Sequence, residues 1–172
     1  MRSMALIARA FGMNDEVWRR HANPWSVSTR FAAIPAMILA IWSRIWIGWW
    51  ALIPVGLVIV WLFLNPKVFP AVTAEHGWAA KGIYGERLWL EEPESVPEEC
   101  RSVLRWLIVP GLCGFILLFW GLVRLEPWPT IFGATLITLA QLWRIDRLGV
   151  FYAQRREQES SLARAVLPRT GA

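Results

Sequence analysis

Few residues in this chain have the types and spacing for chemistry, and most crowd into the stretch RRHANPWSVSTRF, Arg19–Phe31, or answer to it from further along. His21 is one of two histidines; the other is His76. Asp146 sits between two arginines in WRIDRLGVFY, and Asn-Pro occurs twice, at Asn23-Pro24 and Asn65-Pro66. Read together, these give a candidate polar cluster of His21, Asn23, Arg30, Asn65, Lys67, Glu86, Arg87 and Asp146. The chemistry such a set supports is proton transfer by His21 or Asp146 beside an anionic head group held by Arg30 and Arg87.

Each of these residues also has a plainer use. Asn14 is placed to cap a short helix in which Asp15–Arg19 and Glu16–Arg20 are i,i+4 pairs. Asn23 is a helix cap with Pro24 in the first turn, and Asn65, preceding Pro66, marks a helix end. Asp146 calls for an ion-pair partner, with Arg30 and Arg87 the candidates. No catalytic, metal or cofactor-binding residue is assigned. His21 and His76 both fall outside the apolar blocks, so a haem held between two buried histidines, or a chlorophyll on one, has no ligands. Cys100 and Cys113 lie 13 apart and read as plain thiols.

The elements that position these residues are long and apolar. The chain has 172 residues, 56% hydrophobic and 18% charged, with 13 tryptophans. A soluble domain carries about 25% charge, so this is the composition of a membrane protein. Phe31–Leu64 is one apolar block, too long at about 1.5 Å per residue for a hydrocarbon core of about 30 Å. It must turn, and Ser43, Arg44 and Gly48 mark the place. The expected fold is all-α, with four transmembrane helices in two hairpins over about 24–43, 46–64, 105–123 and 128–146. Residues 24–43 are the weakest of these, since their uncharged part, Phe31–Ser43, is only 13 residues long and Arg30 must snorkel; a re-entrant or interfacial segment is the alternative. Residues 1–22 form interfacial helices, the first carrying Met4, Ile7, Ala8 and Phe11 on one face. A polar loop covers 65–104, within which Ser95 and Glu98 suggest a capping box. The membrane domain is 23–156, and 157–172 is a cytoplasmic tail.

Of the 18 Lys and Arg residues, all but Arg44 and Arg124 fall in the N-terminal region, the central loop or the C-terminal region. Four spans put those three regions on one side, which the positive-inside rule makes the cytoplasm, with both termini there. The net charge of +5 is accounted for in this way, without nucleic acid as a partner. Trp18, Trp25, Trp89, Trp106 and Trp143 then form a cytoplasmic aromatic belt, and Trp42, Trp46, Trp49, Trp50, Trp120 and Trp128 an outer one. No charged residue falls in mid-span, which argues against a pump or carrier.

The blocks WRRHANPWSVSTRF, NPKVFP, YGERLWL and LWRIDRLGVFY resemble those of a family of small integral membrane proteins of bacteria and archaea, a domain of unknown function, over about residues 11–153. The resemblance implies a multi-span membrane protein and carries over no catalytic residue. The expected role is non-catalytic: an accessory or structural subunit of the cytoplasmic membrane that meets lipids and packs against other transmembrane subunits or itself. An enzyme acting on an amphipathic lipid or isoprenoid at the cytoplasmic interface is the alternative, and a small transporter the third.

Overall fold

The computed structural model describes residues 14–72 and 77–166; the expected helix over Met4–Phe11 and His76 lie outside them. The described residues are helical throughout, with no strand. Helix α1 is Asp15–His21, α2 Pro24–Trp42, α3 the single turn Arg44–Ile47, α4 Leu52–Val68, α5 Trp78–Glu91, α6 Glu98–Trp106, α7 Ile108–Arg124 and α8 Pro127–Val166.

Local sequence explains most of the boundaries. Asn14 caps α1, accepting from Val17 N at 2.8 Å, and Asn23 caps α2, accepting from Trp25 N at 2.9 Å, with Pro24 in the first turn. The long apolar block turns where expected. Gly48 has φ +56°, a left-handed conformation that favours glycine, and a 3-10 turn over Gly48–Ala51 leads into α4. Leu107 separates α6 from α7, and Leu125 (φ 58°) ends the run before α8.

Several expectations are corrected. Asn65 does not end its helix: α4 runs through Pro66 to Val68, because Asn65 is fully buried and its side chain is held from two sides. Ser95 forms no capping box; its hydroxyl donates to Glu92 O (2.7 Å) in a 3-10 turn, and Pro97 stands at the N-cap of α6. Within the polar stretch 65–104 lie α5 and most of α6. The last helix is continuous over 40 residues, well past residue 156, because i,i+4 Arg155–Glu159 and its neighbours carry it as a polar helix.

Two stretches, Pro24–Val68 and Glu98–Arg124, are long and apolar enough to cross a membrane. Their burial distinguishes them from soluble core helices: only 6% and 17% of their most apolar windows are buried. Trp49, Trp128, Trp46, Trp106 and Trp25 are each at least 70% exposed. The packed core lies elsewhere. Trp18 of α1, Ala22 at its C-cap, Val27 at the start of α2, Ala80 and Ile83 of α5 and Ile145 of α8 form one buried cluster at the polar end. Trp18 is thus a core residue, 4% exposed, and not part of an aromatic belt.

Glycines allow the closest helix contacts. A Cβ on Gly121 or Gly133 would overlap the facing helix at Thr130 or Leu118, and one on Gly82 or Gly85 would overlap Ile145 or Leu148. So α7 and α5 both press their backbones onto α8, and these are the most extensive contacts in the fold. By contrast, α2 packs mainly on α4 and touches α8 lightly.

Candidate functional site

Start from the two Asn-Pro pairs. Asn65 of α4 accepts from Ser26 Oγ (2.7 Å) and donates through Nδ2 to Thr29 Oγ1 (2.6 Å), both on α2. Ser26 and Asn65 are both fully buried. Asn23 donates to Pro70 O (3.2 Å), Arg20 to Lys67 O (3.0 Å), and Val72 N to Arg19 O (3.1 Å). The recurring dipeptide therefore stitches the start of α2 to the end of α4. Each such bond contributes about 0.5–1.5 kcal/mol net, and a buried Asn left without partners costs more. Lys67 enters this seam through its backbone carbonyl only.

His21 and Arg30 meet one turn deeper. Arg30 Nη1 donates to His21 Nε2 at 2.8 Å, and Arg30 Nε to Ser26 O at 3.3 Å. An arginine has only donors, so His21 Nε2 accepts, and the ring is neutral with its proton on Nδ1. Burial, followed by the charge of Arg30, pushes the His21 pKa down to about 3. Its Nδ1 is buried without a hydrogen-bond partner. Trp18 meets the ring edge-on, with centroids 5.8 Å apart.

Glu86 completes this corner. Arg144 of α8 forms an ion pair with it, both side chains mostly covered. Arg30 has Glu86 and Arg144 as its charged neighbours. A cavity of about 190 Å³ lies among Arg30, Glu86, Gln141 and the apolar side chains Val27, Ile34 and Ile83. Arg144 and Gln141 were not among the sequence candidates. Residues 141, 144, 145 and 148 share one face of a helix, and that spacing was the available signal.

The remaining candidates do not join. Arg87 points to Asp15 and Glu91. Its guanidinium loses some stabilisation to burial, but the hydrogen bonds it donates to Glu91 and Asp15 outweigh this and raise its pKa. Asp15 therefore pairs with Arg87 rather than Arg19, while Glu16–Arg20 forms as expected. Asp146 meets neither Arg30 nor Arg87. It accepts from Trp78 Nε1 (3.1 Å) and lies 3.6 Å from Arg147, beside a separate and largely apolar groove that Leu107 and Trp143 also line. Asp146 is not among the side chains that line the cavity, whereas Gln141 and Ile145 of the same helix are; adjacent residues on a helix point apart. Among the described residues, no three His, Cys, Asp or Glu side chains gather as a metal site requires, and Cys100 and Cys113 are free thiols.

At the far end, Arg44 donates to Leu122 O (2.6 Å) and Val123 O (2.8 Å). A cation there satisfies the last carbonyls of α7 and its negative dipole end. Arg44, in the turn between α2 and α4, thus joins that helix pair to α7.

The family model of DUF6653, a family of unknown function, matches residues 3–167. The chain belongs to that family. No curated protein and no solved structure matches it.

Proposed function

We propose that this DUF6653 protein is a four-span protein of the cytoplasmic membrane with a non-catalytic role, a small subunit that packs against larger membrane partners or a second copy of itself. The spans are α2, α4, α7 and the apolar first half of α8, and both termini face the cytoplasm. Helices of 17–19 residues measure about 26–28 Å, which suits a hydrocarbon core of about 30 Å. The observation that carries this reading is the near-absence of burial along the two apolar stretches, where a soluble core helix would be covered.

The commitments of the polar residues favour a non-catalytic role. Asn23 and Asn65 bind helices together, Asp146 is occupied by Trp78 and Arg147, and His21 turns its acceptor nitrogen to Arg30. The enzymatic alternative needs a base that faces substrate, and a carrier usually places an ionisable group in mid-span.

Purification from native membranes in mild detergent tests the proposal. A stoichiometric co-purifying membrane protein, or a homo-oligomer, is the expected result. A lone monomer at every detergent level would overturn it.

A further inference from the structure

We propose that the crevice between α2 and α8 binds one anionic phospholipid, its phosphate at Arg30, beside the Glu86–Arg144 pair, and a chain along the crevice. The proposal rests on the membrane reading above.

The first argument is shape. Next to the polar cavity of about 190 Å³ is an apolar cleft of about 460 Å³ between Ile38 and Leu39 of α2 and Ile131 and Thr135 of α8. Ile34 lines both, so the two are neighbours along α2. A water occupies about 30 Å³ of liquid, so the polar part has room for a phosphate but not for a drug-sized ligand, which needs about 300 Å³ or more. The extra length is apolar and opens on the side of the helices. Glu86 of α5, paired with Arg144 of α8, lines the polar end of the crevice.

The second argument is charge. Among the described residues, Glu86 is the one carboxylate that Arg30 and Arg144 share, and His21 beside Arg30 is neutral. That leaves one uncompensated positive charge in mostly apolar surroundings, which is costly. A phosphodiester anion neutralises it. Donors are also left over: Arg144 Nε is buried without a hydrogen-bond partner, as is His21 Nδ1. Arginine forks match phosphate oxygens in geometry and charge. The apolar cleft on the other side of Ile34 favours a lipid over a free anion.

The test uses full-length protein, delipidated in dodecyl maltoside, with dioleoyl phosphatidylglycerol, dioleoyl phosphatidylcholine and inorganic phosphate as separate probes. Native mass spectrometry should show one retained phosphatidylglycerol, preferred about tenfold or more over phosphatidylcholine, as expected when a charge-assisted pair is at stake. Arg144→Gln should weaken phosphatidylglycerol binding about tenfold, and Glu86→Gln, which removes the competing anion, should strengthen it. Ala134→Phe, which fills the cleft, should abolish lipid binding. Melting of each variant without lipid checks its fold. Equal binding of the two lipids, a loss rather than a gain with Glu86→Gln, or full competition by millimolar phosphate would each overturn the proposal. Carbonate washing of native membranes separates the failures. A washed-off protein refutes the membrane reading itself; a retained protein that ignores phosphatidylglycerol refutes only the lipid site.

Discussion

His21 shows how a reactive residue type can be put to structural use. Its ring fills a corner between Trp18 and Arg30, and its neutral form is required there because an arginine can only donate to it. This has a measurable consequence. The folded pKa of about 3 lies below the ordinary 6.5, so the unfolded chain takes up a proton at His21 as pH falls while the folded chain does not. The stabilisation is complete above pH 6.5, is lost as pH falls, at up to about 1.4 kcal/mol per unit, and flattens near pH 3. Melting temperatures between pH 4 and 8 should therefore fall more steeply on acidification for the natural chain than for His21→Gln, whose amide oxygen still accepts from Arg30. Parallel curves would mean that His21 is not held neutral. The caps at Asn14 and Asn23 were legible because they depend on residues three or fewer positions away. The partners of Asp15 and Asp146 were not, because Arg87 and Trp78 lie 72 and 68 positions away and only the fold brings them close.

At the scale of elements, helix existence was readable and helix contact was not. The apolar block, its turn at Ser43–Gly48 and the helical character of 105–123 follow from composition and period. The close seating of α5 and α7 on α8 follows from which glycines meet a neighbour, and glycine spacing alone does not say this. Gly114, Gly121 and Gly133 abut the facing helix, whereas Gly56 and Gly111 have nothing within 4 Å of an added Cβ. The two sets should behave oppositely. Gly121→Ala pushes a methyl into Thr130 and must move a backbone, and a forced shift of this kind costs about 1–3 kcal/mol. Gly56→Ala and Gly111→Ala should be neutral or slightly stabilising, since alanine is the better helix former by about 1 kcal/mol. Thermal unfolding in a single detergent measures both. Equal losses at Gly121 and Gly56 would contradict the α7–α8 contact. Asn65-Pro66 shows the opposite case, in which a local helix-ending signal is overridden by two tertiary hydrogen bonds.

At the scale of the whole molecule, the two ends differ in kind. One holds a packed core of α1, α5 and α8 crossed by ion pairs, and the other shows bare tryptophans and a two-carbonyl clasp on Arg44. Sixteen of the 18 basic residues belong to the three regions that the proposed four-span reading puts on one side, and under the positive-inside rule that bias predicts the threading. The α5–α6 segment should thus face the cytoplasm, and the turn between α7 and α8 the outside. Both are accessible: Glu94 and Glu126 are exposed. In a background with Cys100 and Cys113 replaced by serine, a membrane-impermeant maleimide applied to intact cells should label Glu126→Cys and leave Glu94→Cys unlabelled. After lysis both should react. Labelling of Glu94→Cys from outside would invert the threading. Labelling of both from outside would mean that α7 does not cross, and the four-span arrangement would fail with it.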